Sequence, residues 1–583
     1  MKTGRQAKKR CRVESVIFQD ENSCTMSLPK RIFQRTDLML VAVGSLSCVR
    51  ALYLQAADLG KLHQFCYCCM TPTEYALGTG GRRLKKELEK VLKKTGIGGV
   101  IVYVSCMEVI TRMELEELLS SLNNPDRVPV KVLYRGPMVS RYQKPAESLS
   151  QILLSIPETG RKIEGDSLIL PPVPPDFAGI AECLQSWDTY NFLITPGGCT
   201  GCMIGRADGK QAYRLRKSRF HDMEAAMGCE QIVLEGIAAD AKETADGKLC
   251  CLLGTAVPHL LSFDYERVSE ELQERGISSV FLKSDGFHSA VQGIAGAYLT
   301  LGKQRIRKEP AVPKLIGILG AHSLYCVGRN QWKYTVEHLE REGYQCLFPE
   351  ETDGFSEWGR VSMNWVVSAE GFTLAKWMQE ELDIPYLTML PIGEQAVNSW
   401  QKEIQRKMRK KKVEKRKFPQ QEFAASDLRR VVLIGDPVVT KGIACYLQEE
   451  REYQNICQAV YTPLQAMKQW YQEVYESEED KEELICFSNP EELEQLLQRA
   501  ELVIGDAVFK RAVEADKIEK NWICLPDPVF MSGNREPPVD YELFGKKGGA
   551  WLDGQLKRII AYGSNEFAGK EFAIEKMKKE KIK

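Results

Sequence analysis

Short apolar runs recur along the chain, and each ends at Gly, Ser or Pro before a more polar stretch begins. Runs of this length, rich in Val, Ile and Leu, are typical of strands buried on both faces, and the stretches that follow have helical periodicity. The alternation predicts an α/β protein with several Rossmann-like, doubly wound parallel-sheet domains. The clearest predicted strands are LMLVAVGS (38–45), GVIVYVS (99–105), NFLITPGG (191–198), KLIGILGA (314–321), RRVVLIGDP (429–437) and AELVIGDA (500–507).

An internal repeat relates the first two predicted domains. Four positions in the first half have partners about 150 residues later, in constant register and with similar local sequence. The pairs are Cys48 and Cys199, Glu74 and Glu224, Cys106 and Ala256, and Gly136 and Gly286. We therefore predict two homologous repeats in tandem at 1–165 and 166–308. A third α/β domain is predicted at 309–427, with a basic linker at 402–427, and a fourth at 428–583.

Composition narrows the classes of function. Lys plus Arg and Asp plus Glu number 79 each among the 583 residues, so the chain has no basic excess for nucleic acid. Its apolar runs are too short to span a bilayer, and its basic N-terminus has no apolar core of a secretory signal. We therefore expect a cytoplasmic protein whose 19 cysteines are reduced. Dinucleotide-binding and phosphate-loop motifs are absent from the sequence.

Four cysteines stand out by their position. Cys48, Cys106 and Cys199 each follow a predicted strand and precede a predicted helix, where an open parallel sheet gathers its ligands. Cys24 lies upstream of Cys48, in a polar loop that has no cysteine at the matching place of the second repeat. Three thiols from the first repeat and one from the second make the four that a [4Fe–4S] cluster requires, and a helix N-terminus favours the thiolate form.

Other interpretations of these cysteines stay open. Cysteine often only fills space in a core. Zinc is an alternative, although its ligands usually come in close pairs; Cys199 and Cys202 have that spacing, so Cys202 is a spare candidate ligand. The dense run Cys66–Cys69 is a further candidate for a ligand or redox role.

Histidines and charged residues offer weaker candidates. Of the six histidines, His259 and His288 fall in strand-end loops of the second repeat, where a proton-donor role competes with an ordinary solvent-facing one. Asp285 and Arg135 sit beside the matched glycines, where they either line the same cleft or cap turns.

With these residues identified, the sequence resembles the nitrogenase component 1 family. VGSLSC (43–48) and ITPGGC (194–199) resemble the family's H-G-P-x-G-C turn. TPTEYALGTGG (71–81) and SCMEVITRMELE (105–116) resemble its T-D-x-x-E-x-D-x-x-x-G and T-C-P-x-x-x-I-G-D-D-I-E segments. Stretches at 364–393, 429–437, 501–510 and 525–530 resemble its later domains. The resemblance covers nearly the whole chain.

The resemblance implies an iron–sulfur oxidoreductase. It assigns Cys24, Cys48 and Cys106 as three cluster ligands of one subunit type and Cys199 as a ligand of the partner type, here fused into one chain. It also implies an ATP-dependent iron–sulfur reductase as electron donor and a small-molecule substrate, for which a tetrapyrrole-like molecule is one class. Homodimerisation is compatible with the resemblance and is left open.

Two departures limit the function that the resemblance implies. The cysteine that binds the molybdenum cofactor in true nitrogenases falls at Ser368, and no histidine follows His338, so reduction of dinitrogen with that cofactor is not expected. The first repeat also lacks second and third domains of its own. A metal-cofactor assembly scaffold and a non-redox small-molecule-binding protein are the alternative functions.

Overall fold

We describe a computed structural model of the 583-residue chain. The described residues form two compact units, one up to residue 304 and one from residue 305 onward. They are 12–16, 27–139, 144–165, 169–203, 214–321, 330–351, 355–409, 430–453, 455–475, 484–513, 521–525 and 543–562.

The first unit contains two parallel sheets with helices between their strands. Its strands are β1 (Arg12–Ser15), β2 (Leu38–Gly44), β3 (Phe65–Cys69), β4 (Gly99–Val104), β5 (Val130–Tyr134), β6 (Tyr190–Leu193), β7 (Arg216–Arg219), β8 (Cys250–Leu253) and β9 (Ser279–Leu282). Its helices are α1 (Leu28–Ile32), α2 (Leu46–Asp58), α3 (Pro72–Leu77), α4 (Gly80–Val91), α5 (Cys106–Ile110), α6 (Leu115–Ser120), α7 (Pro145–Ser155), α8 (Asp176–Cys183), α9 (Asp222–Ala226), α10 (Glu230–Thr244), α11 (Ala256–Leu260), α12 (Tyr265–Glu274) and α13 (Ala290–Arg305), which ends at the border of the unit.

The two sheets of the first unit have the same topology. The strand order is β3-β2-β4-β5 in one and β7-β6-β8-β9 in the other, and these strands pair in parallel. Helices α3, α5 and α6 of the first sheet correspond to α9, α11 and α12 of the second, in the register of the sequence repeat. The shared order supports the inference that the two halves are homologous.

One strand departs from the repeat. β1 adds to the second sheet as an antiparallel edge strand beside β7, with Glu14 directly opposite Lys217. The N-terminal segment, which precedes the first sheet in sequence, therefore completes the sheet of the second repeat.

The second unit contains two further parallel sheets, ordered β11-β10-β12-β13 and β16-β15-β14-β17-β18. Its strands are β10 (Leu315–Leu319), β11 (Gln345–Leu347), β12 (Met363–Val366), β13 (Tyr386–Leu387), β14 (Arg430–Ile434), β15 (Asn455–Tyr461), β16 (Leu484–Phe487), β17 (Ala500–Gly505) and β18 (Asn521–Cys524). Its helices are α14 (Asn330–Arg341), α15 (Phe372–Leu382), α16 (Glu394–Met408), α17 (Pro437–Arg451), α18 (Gln465–Tyr475), α19 (Pro490–Leu497), α20 (Ala507–Arg511) and α21 (Gly545–Tyr562). The predicted α/β class with several parallel-sheet domains is confirmed, whereas the four domain boundaries stay a prediction.

Strand β2 shows why its sequence is apolar throughout. Its alternate residues point to opposite faces of the sheet, and both faces are covered. Met39, Val41 and Val43 pack into one hydrophobic cluster, and Leu38, Leu40 and Ala42 pack into another. The strand is therefore fully buried, and its carboxyl end emerges at Gly44, directly before the helix that carries Cys48.

No helix among the described residues is both long enough and apolar enough to cross a lipid bilayer.

A buried ion pair anchors the start of β2 and provides a stability prediction. The guanidinium of Arg35 donates to both carboxylate oxygens of Asp37, at 3.0 and 2.8 Å, and Thr159 donates to the same carboxylate. We expect Asp37→Asn to lower the free energy of unfolding by about 2 kcal/mol, because the buried guanidinium loses its countercharge. Urea unfolding of the full chain measures the loss, and hydrogen exchange over β2 assigns it to the first unit.

The same contacts determine how the free energy of unfolding changes with pH. Burial alone would raise the pKa of Asp37, but the hydrogen bonds from Arg35 and Thr159 outweigh it and hold the pKa below 3.8. The carboxylate's contribution is therefore present above pH 3.8 and is lost as the pH falls through the lower folded-state value. Glu147→Gln, in an exposed pair with Lys144, is the control and should leave stability unchanged. An Asp37→Asn loss that persists undiminished at low pH would contradict this account.

Candidate functional site

Cys48 lies at the carboxyl end of β2, in the first turn of α2. The hydroxyls of Ser45 and Ser47 approach its sulfur at 3.8 and 4.0 Å as donors. Gly44 has a φ of +152° and leaves little room for a side chain, because a Cβ there would lie 3.1 Å from the Cβ of Cys48. The tight turn and the two hydroxyls therefore fix the position of the thiol.

Cys106 is the first residue of α5, at the carboxyl end of β4. Ser105 caps the helix, and the Glu108 carboxylate accepts hydrogen bonds from the Ser105 backbone and hydroxyl at 3.0 and 2.6 Å. Glu108 also accepts a 2.5 Å hydrogen bond from the hydroxyl of Tyr75, and the Tyr75 ring packs edge-on against Phe287 of the second repeat. This buried network ties the turn of Cys106 to the other repeat.

Cys199 opens a single turn of 3-10 helix, Cys199–Cys202, beyond β6. The preceding Pro196, Gly197 and Gly198 line a cavity together with Cys199. Cys202 is fully buried, and its thiol is directed back to the Cys199 carbonyl oxygen at 3.2 Å. The two cysteines of this pair thus have different surroundings.

One cavity brings the three strand-end cysteines together. Its volume is about 430 Å³, and Cys48, Cys106 and Cys199 all contribute to its wall, so both repeats line it. Gly136 forms the wall behind Cys106, because a Cβ there would overlap the Cys106 sulfur. Among the described residues, the three thiols do not form a group with all ligand atoms within 4.8 Å of one another. As placed, the three sulfurs are therefore too widely spaced to bind one tetrahedral ion together, since Zn–S bonds are about 2.3 Å.

Burial dominates the electrostatics of the thiols. It raises the pKa of Cys48 to about 12, and the nearby Cys199 and Glu108 add to the shift. Burial likewise raises the pKa of Cys106 and of Cys199. Burial therefore opposes ionisation of the free thiols, whereas the helix N-termini were expected to favour it. A bound cationic centre would supply the charge that deprotonates these thiols.

The other candidates from the sequence lie elsewhere or cannot be placed. Cys24 lies outside the described residues. Cys202 and the Cys66–Cys69 strand are not among the residues that line the cavity. Asp285 accepts from the His288 ring at 3.0 Å and from the Phe287 backbone at 2.8 Å, so these two candidates stabilise a turn.

Asp285 and His288 also belong to a group that could hold a metal ion by distance alone, with the fully buried Asp176 as its third member. Both oxygens of Asp176 already accept backbone N–H groups, from Phe177, Asp285 and Gly286. The group is thus a satisfied structural network.

Ser368, at the position of the missing cofactor cysteine, lies in the second unit. It is fully buried, and its hydroxyl donates to the Gly320 carbonyl oxygen at 3.0 Å and to Glu370 at 2.9 Å. Its side chain is therefore engaged in holding the loop beyond β12.

Several residues of the cavity wall were not identified from the sequence. Arg135 was a candidate and does line the cavity, but Glu14, Lys217 and Arg219 were not singled out. The basic run RLRKSRF (214–220) was a visible signal. Its meaning depends on β1 pairing with β7 across about 200 residues, which no local pattern reveals.

Comparisons with known proteins place the chain in a family. A model of the family described as "Nitrogenase component 1 type Oxidoreductase" matches residues 182–539, more than half of the chain. No curated protein matches. One similar solved structure is "Nitrogenase Cp1 at pH 6.5", with 12% identity, a TM-score of 0.49 and coverage of 69% of this chain and 96% of that one. Another, "Nitrogenase Cp1 at pH 5", has 13% identity, a TM-score of 0.44 and coverage of 71% and 92%. By the match of the family model, the chain belongs to the nitrogenase component 1 type oxidoreductases.

Proposed function

We propose that the protein is an oxidoreductase that holds a [4Fe–4S] cluster between its two repeats and passes electrons through it to a small-molecule substrate. The observation that carries the proposal is the shared cavity. Cys48, Cys106 and Cys199 come from three strand ends of two sheets, yet they line one space of about 430 Å³. Buried space-filling cysteines would have no reason to converge on one cavity from both repeats.

The proposed ligands are Cys24, Cys48, Cys106 and Cys199. Cys24 is proposed from the sequence resemblance alone, because it lies outside the described residues. Cys202 is a weaker fourth ligand because its thiol is already directed at a backbone carbonyl. When bound, the cluster would supply a one-electron store. The chain's own contribution is to bury it, to hold its ligands in capped turns and to surround it with charge.

We further propose that an ATP-dependent iron–sulfur reductase delivers the electrons, as the resemblance implies. Two exposed apolar side chains, Leu77 and Met227, are the proposed docking surface for this partner. Leu77 is 69% exposed and Met227 is 82% exposed, and the two occupy matching positions in the two repeats. The recurrence of an exposed apolar side chain at the same place in both repeats, and not its exposure alone, is what supports a role in docking.

This surface gives a prediction for the partner. Leu77→Asp and Met227→Asp should each weaken reduction of the cluster by the reductase at least about tenfold, because a charge replaces a contact that is buried on docking. The measurement is the rate of cluster reduction in the presence of reductase and ATP. Leu154→Asp, on an equally exposed leucine of α7, is the matched control. Equal effects at Leu77 and Leu154 would rule out this docking surface.

Turnover separates the enzyme from the alternatives. The experiment combines the cluster-loaded chain with a component 2-type reductase, ATP and candidate conjugated substrates, including tetrapyrroles, under anaerobic conditions. Substrate reduction that requires both ATP and the cluster supports the proposal. Reduction of the cluster without turnover, together with transfer of metal to an acceptor protein, identifies an assembly scaffold. Ligand binding by an iron-free chain identifies a non-redox binding protein.

A further inference from the structure

Three basic side chains line the cavity that holds the proposed cluster. Lys217 and Arg219 come from β7, Arg135 follows β5, and all three line the cavity. The acidic residue among the lining side chains is Glu14, which pairs with Arg219 at 3.2 Å and with Lys217 at 3.8 Å. Counting these four side chains, the cavity wall carries a positive excess before any ligand is considered.

Lys217 is the more buried of the two cations on β7. Its side chain is 15% exposed, against 46% for Arg219. Its ammonium group donates to the Gly197 carbonyl oxygen at 3.1 Å, and Gly197 lies two residues before Cys199. The β1–β7 pairing places Glu14 directly across from Lys217 on the neighbouring strand. Two side-chain contacts, to the Gly197 carbonyl oxygen and to the Glu14 carboxylate, thus hold one positive charge beside a proposed cluster ligand.

We propose that Lys217 is a positioning residue that raises the reduction potential of the cluster, and that Glu14 moderates it. The inference rests on the proposed function, since it requires a cluster in this cavity. A cluster with four thiolate ligands is anionic, and reduction adds a further negative charge. A nearby cation favours the reduced state, and a nearby carboxylate opposes it, with little screening where water is excluded. The two members of one ion pair should therefore have opposite effects.

The test is an anaerobic redox titration of the full chain, followed by absorption and electron paramagnetic resonance. We expect Lys217→Met to make the midpoint potential more negative and Glu14→Gln to make it more positive, both with iron content unchanged. Lys217→Arg keeps the charge and should stay near the wild-type potential. The control is Lys248→Met, which breaks a 2.7 Å ion pair with Asp188 away from the cavity and should leave the potential unchanged.

The outcomes separate this inference from the proposed function. Wild-type protein that takes up no iron overturns the proposed function, and the inference with it. If the wild type and the variants all contain iron and have the same midpoint potential, the inference is overturned and the proposed function stands. If Lys217→Met takes up no iron, the other two variants decide. A more positive midpoint potential in Glu14→Gln, with the potential of Lys217→Arg unchanged, supports the role of charge. An unchanged potential in Glu14→Gln overturns the inference.

Discussion

Replacing any one of Cys48, Cys106 and Cys199 by alanine is expected to yield a folded chain that has lost its iron. These thiols line one cavity and lie in turns fixed by neighbouring hydroxyls and capping bonds. Loss of groups that merely support metal ligands typically costs about 10- to 100-fold in metal affinity, so loss of a ligand should reduce bound iron at least about tenfold. Iron and sulfide analysis of anaerobically purified variants, with circular dichroism to check folding, measures the effect.

Three further cysteines make this series specific. Cys24→Ala should lose as much iron as the three variants if Cys24 is the fourth ligand. Cys250→Ala is the control, because Cys250 is fully buried in β8 but does not line the cavity, and it should keep its iron. Cys202→Ala should keep iron as well. Iron lost from Cys202→Ala but retained in Cys24→Ala would transfer the fourth position to Cys202, and iron retained in Cys48→Ala would refute the site.

Gly136→Ala is expected to have almost as large an effect, although it removes no ligand. A Cβ at Gly136 would occupy the position of the Cys106 sulfur, and the φ of +151° disfavours any side chain. The sulfur must then move from its place in the cavity wall. We expect bound iron to fall at least about tenfold, with a loss of unfolding free energy of about 1–3 kcal/mol from the backbone strain.

A second glycine separates crowding from strain. Gly165 also has a positive φ, of +107°, but a Cβ there would meet no atom within 4 Å. Gly165→Ala should therefore lower stability through strain while leaving bound iron unchanged. If Gly136→Ala and Gly165→Ala retain iron equally, Gly136 does not shape the site around Cys106.

Much of the fold could be predicted because it rests on local patterns. The apolar run at β2 indicates a strand buried on both faces, and its alternate residues do pack into two different clusters. The constant register of the repeat makes Cys48 and Cys199 equivalent strand-end positions and Cys106 the counterpart of Ala256. Because parallel strands end at the same edge of a sheet, residues that follow different strands in the sequence could be predicted to lie close together.

The rest depends on contacts that no local pattern encodes. Pairing of β1 with β7 brings Glu14 opposite Lys217 from about 200 residues away, more than the length of one repeat, and both then line the cavity. The raised pKa of Cys48 follows from burial in the assembled cavity, which the sequence does not show. The role of Gly136 likewise appears only when its distance to Cys106 is known.

The most direct test of the central claim is the metal content of the wild-type chain, purified without oxygen and examined by Mössbauer spectroscopy. We predict about four irons and four sulfides per chain, in a single cluster that accepts one electron from a chemical reductant. Colourless protein that contains neither iron nor sulfide, and that gains none on anaerobic reconstitution, would contradict the account.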